Sequence, residues 1–252
     1  MPLQSIITLM LFKKDELSKF QFLSIFEFLL VLVLLFASLI FSFIFLPQSL
    51  KQLLPAFTSF FDSHYFGIFA FIFEGFLLFY IIYFFTCVRK NKSLKEGLFF
   101  YPKSRKTLLI SVLIGFITPV CTAPILLKLA PSKFFAMDMA KTSDGFVYIF
   151  ICALLAPLFE EMFYRGYIFP FFQSKLNSFW AVIITAVFFG ASHYANVGNV
   201  YVLISLFMLY GFVLTLLRYF TNSMIPPMIA HFTHNLTLLS GFLVISKLKL
   251  FH

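Results

Sequence analysis

Seven apolar runs, each close to the length of a membrane-crossing helix, constrain the fold more than any other feature of this sequence. About 20 apolar residues are needed to cross a hydrocarbon core roughly 30 Å thick. The chain is 61% hydrophobic and its mean hydropathy is +0.97, well outside the range of soluble globular proteins. The sequence therefore predicts an all-α, polytopic transmembrane bundle of seven to eight helices. The runs are near residues 22–46, 65–88, 107–129, 146–172, 179–195, 200–218 and 225–246.

The net charge of +9 comes from basic residues in the short segments between apolar runs, as the positive-inside rule describes. Twelve of these residues fall on the side of the N-terminus and six on the opposite side, which predicts a cytoplasmic N-terminus. Lys247 and Lys249 fit this assignment poorly, and splitting the last run into two short helices would remove the misfit. The twelve are Lys13, Lys14, Lys19, Arg89, Lys90, Lys92, Lys95, Lys103, Arg105, Lys106, Lys175 and Arg218.

No repeat, low-complexity tract or long linker divides the chain, so residues 1–252 are predicted to form a single integral membrane domain. The basic residues occur without a recognised nucleic-acid motif, so membrane lipids rather than nucleic acid are the expected partners. The three cysteines lie far apart within apolar runs and support neither a disulfide framework nor a cysteine metal site.

The fourth apolar run contains three charged residues, Glu160, Glu161 and Arg165. Each charge at such a position costs about 2.5 to 3.5 kcal/mol on insertion scales, so intramembrane charges mark functional sites. Glu161 and Arg165 are four residues apart and can pair on one helix face, whereas Glu160 points about 100° away. Pro157 can kink the helix and admit water beside Glu160. The pattern predicts a structural ion pair next to a carboxylate free to act as a general base.

Histidines in two later runs complete a predicted polar cavity within the membrane. His193 follows a stretch of small residues that allows another helix to approach closely. His231 and Asn235 share a helix face, and His234 lies within a turn of both. Each of these residues alone is more often structural than catalytic. Placing the whole set of polar side chains within lipid has a high free-energy cost, however, which favours a functional site. A histidine is the expected partner of Glu160.

These residues resemble the CPBP family of CAAX proteases and bacteriocin-processing proteins, also called Abi, whose motifs occur in three successive helices. The resemblance covers about residues 145–245 and implies an intramembrane peptidase, with type II CAAX prenyl endopeptidase as the best-understood member. The motif residues here are Glu160, Glu161, Arg165, Phe189, His193, His231 and Asn235.

The resemblance also implies a role for each motif residue. Glu160 is the expected catalytic base and His193 its partner in activating water, while His231 and Asn235 stabilise the oxyanion. Glu161 and Arg165 hold the geometry. No cofactor is favoured, although the family is often labelled metalloendopeptidase; zinc, if bound, would use Glu160, His193 and His231. The zinc-peptidase motif with two histidines flanking a glutamate on one helix is absent.

The leading hypothesis is an endopeptidase that hydrolyses a membrane-anchored peptide or a lipidated protein, prenylated in the CAAX case. The expected location is a bacterial plasma membrane. Two alternatives remain open: a non-catalytic membrane scaffold or bacteriocin-immunity protein, and a proton-coupled transporter. The transporter hypothesis is weakened because no inverted repeat is visible in the sequence.

Overall fold

A computed structural model describes residues 23–129, 145–197 and 200–247, and every regular element within these ranges is helical. This result confirms the all-α class. Four of the described helices are long and apolar enough to cross a membrane, and the chain is an integral membrane protein. The full count of seven to eight spans stays a prediction. The cytoplasmic N-terminus also stays a prediction, since residues 13, 14, 19 and 249 lie outside the described ranges. The four helices are Ile25–Leu53, Tyr65–Val88, Arg105–Leu126 and Tyr201–Thr221.

Phe22–Leu98 forms one of two compact units. Serine side chains cap the N-termini of three of its helices, and two of these caps are capping boxes completed by a glutamate. Glu74 is buried within an apolar helix, where it accepts hydrogen bonds of 2.8 Å from Ser38 and from Ser42. The α-helices of this unit are α1 (Ile25–Ile40), α2 (Leu46–Leu53), α3 (Thr58–Phe61), α4 (His64–Tyr83) and α5 (Leu94–Gly97), with π-helical turns at Phe41–Phe45 and Phe84–Val88.

The other unit contains Phe99 and all described residues after it. Its last helix begins at Ile225, followed by Pro226 and Pro227, because proline is well accommodated in a first helical turn. A π-helical segment, Met162–Ile168, separates two of its helices. The predicted single domain of 1–252 stays a prediction. The helices are α6 (Arg105–Leu129), α7 (Gly145–Glu161), α8 (Phe169–Lys175), α9 (Ser178–Ser192), α10 (Tyr194–Val197), α11 (Tyr201–Thr221) and α12 (Ile225–Lys247).

Helices α6, α7, α9, α11 and α12 pack together to position the polar residues. α12 packs against both α6 and α7, and α11 packs against α9. A buried cluster joins them, with Tyr164 following α7, Phe189 on α9, Tyr210 and Leu214 on α11, and Ala230 on α12. The sequence predicts contributions from the helices that carry Glu160, His193 and His231. The structure adds α11, whose role has no motif to indicate it.

Gly190 allows α9 and α11 to approach closely, in agreement with the small-residue stretch before His193. A Cβ atom at Gly190 would lie 2.2 Å from Cγ and 2.8 Å from the backbone nitrogen of Met208. The second distance is to main chain, so rotation of the methionine side chain would not relieve the clash. By contrast, a Cβ at Gly67 would meet no atom within 4 Å.

We expect Gly190→Val to destabilise the protein by about 1–3 kcal/mol, because the added side chain must force α9 and α11 apart. Unfolding in detergent, followed by circular dichroism, measures this change. Gly67→Ala is the matched control and should be neutral or slightly stabilising, since alanine favours the helix by about 1 kcal/mol over glycine. Equal stability of the Gly190→Val and wild-type proteins would contradict the close packing.

Candidate functional site

The charged residues of the fourth run lie where an α-helix changes into a π-helix. Pro157 is buried inside α7, and the wider π turn begins at Met162, directly after Glu161. π turns inside α-helices occur frequently at functional sites because they displace the side chains that follow. The sequence predicts a kink at Pro157, but no residue pattern predicts the π turn.

Arg165 is fully buried and bonds through all three of its guanidinium nitrogens. Nη1 donates to Oε1 of Glu161 at 2.8 Å, Nη2 to the carbonyl of Gly211 at 2.9 Å, and Nε to Oγ1 of Thr215 at 3.3 Å. The guanidinium carbon also lies 4.5 Å from the centre of the Phe189 ring. Arg165 therefore ties the segment after α7 to α9 and α11, which is the geometry of a structural ion pair.

Gly211 and Thr215 are site residues that the sequence analysis missed. Both lie on α11, one helical turn apart, and Thr215 also donates to the Gly211 carbonyl at 2.7 Å. The only sequence signal is a buried threonine one turn after a glycine in an apolar run. That pattern is common in membrane helices, because Ser and Thr bond to the preceding turn.

His231 binds the same carboxylate oxygen as Arg165. Its Nδ1 lies 2.8 Å from Oε1 of Glu161, and both side chains are almost fully buried. An ionised carboxylate only accepts hydrogen bonds, so Nδ1 carries the proton and donates. The other ring nitrogen, Nε2, is then left with its lone pair when the ring is neutral. Glu161 thus fixes both the orientation and the tautomer of His231.

Glu160 faces the second nitrogen of that imidazole. Oε2 of Glu160 lies 3.9 Å from Nε2 of His231, which is beyond a direct hydrogen bond but close enough for one water molecule to bond to both. Oε2 is buried and has no hydrogen-bond partner among the described residues, although the Glu160 side chain as a whole is 32% exposed. A buried carboxylate oxygen without a hydrogen-bond partner is costly, and a bound water molecule between Glu160 and His231 would satisfy it.

His193 is anchored separately, at the C-terminal end of α9. Its Nδ1 donates to the carbonyl of Phe189 at 2.7 Å, and its ring stacks on Phe207 with centroids 4.2 Å apart. The same carbonyl accepts a bond from Ser192, which in turn accepts one of 2.6 Å from the Tyr164 hydroxyl. This chain of bonds links the π segment to the histidine. As in His231, Nε2 is the nitrogen left free by the tautomer.

Phe189 brings the two histidines into one neighbourhood. The centre of its ring lies 4.8 Å from that of His193 and 5.7 Å from that of His231. The histidine that faces Glu160 within 4 Å is His231, whereas the sequence analysis expects His193 in that place. Asn235 follows His231 by one turn of α12 and is half-buried. The catalytic roles of Glu160, His193, His231 and Asn235 stay predictions.

His234, which belongs to no motif, is buried beside the cluster. Its ring stacks on Tyr210 with centroids 4.0 Å apart, and Nδ1 lies 2.9 Å from Oγ1 of Thr118. The Thr118 hydroxyl donates its single proton to the carbonyl of Ile114, so Nδ1 of His234 must be the donor. His234 therefore holds α12 against α6 and α11.

An apolar cavity of about 280 Å³ adjoins this histidine, between α6, α11 and α12. The Tyr210 ring that lines it also packs edge-on against His231, at 5.7 Å between centroids. The cavity is thus separated from the polar cluster by one aromatic side chain. Its lining includes Thr118, Cys121, Phe207, Tyr210, Val213 and His234.

The three residues named for a metal do not converge on a common point. Among the described residues, no three His, Cys, Asp or Glu side chains are arranged to hold a metal ion. Nδ1 of His231 is occupied by Glu161, and Nδ1 of His193 by a backbone carbonyl. These bonds leave Nε2 of both rings free, as in metal-binding histidines, so they do not argue against a metal. Metal dependence stays untested.

Carboxylate and imidazole groups buried together among apolar helices are costly, and such intramembrane groups mark functional sites. Residues 142–237 match the family model described as type II CAAX prenyl endopeptidase Rce1-like. This match confirms the resemblance found in the sequence motifs and is consistent with the CPBP family. The matched region is less than half of the chain and includes Glu160, Glu161, Arg165, His193, His231 and Asn235. No curated protein and no solved structure matches the chain.

Proposed function

We propose that this protein is an intramembrane endopeptidase that hydrolyses a membrane-anchored, lipid-modified peptide. The observation that supports the proposal best is the series Glu161, His231 and Glu160. In this series one carboxylate binds Nδ1 of an imidazole, and Nε2 of the same imidazole faces a second carboxylate, one oxygen of which has no hydrogen-bond partner among the described residues. The same arrangement recurs in enzymes where a base is oriented by a third group.

In the proposed mechanism Glu160 accepts a proton from a water molecule, and the resulting hydroxide attacks the carbonyl carbon of the scissile peptide bond. When His231 carries a second proton, on Nε2, it donates a hydrogen bond to the developing oxyanion, and Glu161 balances its charge. Asn235 lies on the same face of α12 and supplies an amide donor. When the intermediate collapses, the proton on Glu160 passes to the departing amine.

His193 has a positioning role in this proposal. The bonds from Tyr164 through Ser192 to the Phe189 carbonyl hold its ring in place, and Nε2 can accept a hydrogen bond from the attacking water. A water molecule held by two acceptors has its lone pair directed toward the substrate carbonyl, which lowers the entropic part of the barrier.

The apolar cavity beside Tyr210 suits the hydrocarbon part of a lipidated substrate. Its walls are almost entirely apolar, and one aromatic ring separates it from His231. About 280 Å³ accommodates part of one hydrocarbon chain, and each buried CH₂ contributes about 0.8 kcal/mol to binding. A prenyl group on a CAAX-type peptide is the substrate feature that this cavity supports.

The proposal is tested by incubating the purified protein with matched peptides, prenylated, acylated or unmodified, and identifying the products by mass spectrometry. We expect cleavage of at least one lipidated peptide and slower cleavage of its unmodified counterpart. Absence of cleavage across the panel would favour the scaffold hypothesis. Proton uptake by sealed vesicles without cleavage would favour the transporter.

Val213→Phe should reduce cleavage of the lipidated peptide about tenfold or more, because the larger ring occupies space in the apolar cavity. Cleavage of an unmodified peptide should change little, so the ratio of the two kcat/KM values is the informative measurement. Val187→Phe is the matched control, since Val187 lies exposed on α9. An unchanged ratio would show that the cavity does not bind the lipid.

A further inference from the structure

Arg218 is a buried cation without a counterion among the described residues. Its side chain is 1% exposed, near the C-terminal end of α11. Nη1 donates to Oδ1 of Asn222 at 3.1 Å, whereas Nε and Nη2 have no hydrogen-bond partner in the described part of the chain. The sequence analysis counts Arg218 among the basic residues on the N-terminal side of the membrane, and the structure adds that it is buried. A charge of this kind is expensive to bury unless it binds something.

The ring of Phe99 covers the guanidinium. The guanidinium carbon lies 4.0 Å from the centre of the Phe99 ring and 5.7 Å from that of Phe169. Phe99 has a φ angle of 60°, in the left-handed region that bulky residues rarely adopt. Its carbonyl accepts a 2.9 Å hydrogen bond from the backbone nitrogen of Met224, which keeps the residue over Arg218. Phe99, whose ring covers Arg218, therefore has a strained backbone conformation.

The two unpaired donors have the geometry of an oxyanion site. Nε and Nη2 lie on the same edge of a guanidinium group, and their N–H bonds are parallel, so they match two oxygens of one phosphate or carboxylate. The segment that follows Phe99 carries Lys103, Arg105 and Lys106, the last two exposed. Basic residues at a membrane boundary attract the phosphates of lipid headgroups and of free anions.

We propose that Arg218 is a binding site for a phosphate group, which enters when Phe99 swings away and which Nε and Nη2 then hold. Rotation of the Phe99 side chain leaves its backbone hydrogen bond with Met224 in place and uncovers the guanidinium group. Binding of the phosphate replaces an aromatic cover with charge-assisted hydrogen bonds. The site lies at the end of α11 that is remote in sequence from Tyr210, and it uses none of the residues assigned to hydrolysis.

Arginine modification by phenylglyoxal tests the proposal, with adduct formation at each arginine read by peptide mass spectrometry in phosphate-free detergent. In the wild-type protein Arg218 should react slowly, because Phe99 covers it. In Phe99→Gly it should react about tenfold faster, since glycine keeps the positive φ and the backbone hydrogen bond but has no ring. Arg105 is exposed in both proteins and is the internal control, with an unchanged rate.

Protection by phosphate identifies the ligand. A phosphate source at about ten times its dissociation constant should slow the modification of Arg218 about tenfold. Protection by inorganic phosphate alone supports a free anion, and protection by phosphatidylglycerol vesicles but not by inorganic phosphate supports a lipid headgroup. Vesicles of digalactosyldiacylglycerol, which lacks phosphate, control for burial in the bilayer.

Two results would overturn the proposal. One is an unreactive Arg218 in a folded Phe99→Gly protein, and the other is a reactive Arg218 that neither phosphate source protects beyond the glycolipid control. If Phe99→Gly does not fold, the slow modification of Arg218 in the wild-type protein is measured instead. Each movement of the Phe99 ring away from Arg218 exposes the guanidinium to phenylglyoxal, so a bound phosphate should still lower the rate. Equal slow rates with and without both phosphate sources would then refute the site.

Discussion

Glu160→Gln should reduce peptide cleavage by a factor of about 10² to 10⁴, the usual contribution of a general base. Glutamine has nearly the same volume and can still accept a hydrogen bond, but it cannot accept a proton from water. Because the Glu160 side chain is 32% exposed and makes no described ion pair shorter than 3.9 Å, the fold should be unaffected. The measurement is kcat/KM on the best lipidated peptide, beside a thermal melt in detergent.

Glu96→Gln is the matched control for this substitution. Glu96 completes a capping box at the start of α5, and glutamine serves equally well in that position. Both its activity and its melting temperature should equal those of the wild type. Full cleavage by Glu160→Gln would remove this carboxylate from the mechanism. A loss of stability together with activity would instead favour the scaffold hypothesis.

Arg165→Met should destabilise the protein by about 3–5 kcal/mol, which is the largest stability effect that the structure predicts. The substitution fills much of the volume but leaves the Glu161 carboxylate buried without its cation, and it removes the bonds that Arg165 donates to the Gly211 carbonyl and the Thr215 hydroxyl. Equilibrium unfolding in mixed detergent measures the free energy. Arg165→Lys should also lower the free energy of unfolding, because one ammonium group cannot reproduce the hydrogen bonds of the planar guanidinium group.

The double substitution Glu161→Gln with Arg165→Met distinguishes an unpaired charge from lost packing. Removing the carboxylate as well should restore part of the stability, so the two effects should be non-additive by about 1–3 kcal/mol. Additive losses would indicate that the pair contributes little and that packing around Phe189 and Tyr164 accounts for the effect. Wild-type stability of Arg165→Met alone would contradict the structural role.

The sequence predicted what depends on spacing along one helix. The length and apolar character of the runs predicted helices such as α6 and α11, because a bilayer leaves little choice of backbone structure. The four-residue spacing of Glu161 and Arg165 predicted that they could pair. In the structure Nη1 of Arg165 lies 2.8 Å from Oε1 of Glu161.

Residue spacing along one helix did not predict which residues of different helices are in contact. The bond between His231 and Glu161 depends on the rotation of α12 against α7, and the motif spacing does not determine that rotation. The π turn after Glu161 further alters which side chains face inward. Gly211 and Arg218 lie on α11, where no motif drew attention to them. Tertiary packing, rather than local propensity, determined their contacts.

The pairing of Glu161 with Arg165 within one continuous helical segment also bears on how the chain enters the bilayer during synthesis. α7 precedes α11 and α12 in the chain, so it is synthesised before Gly211, Thr215 and His231. Glu161 and Arg165 are one helical turn apart and have opposite charges. The nascent helical segment can therefore carry them as an ion pair rather than as two separate ions. When α11 and α12 then pack against this segment, they form hydrogen bonds to the existing Glu161–Arg165 pair in place of lipid contacts. The site is complete once α12 has packed.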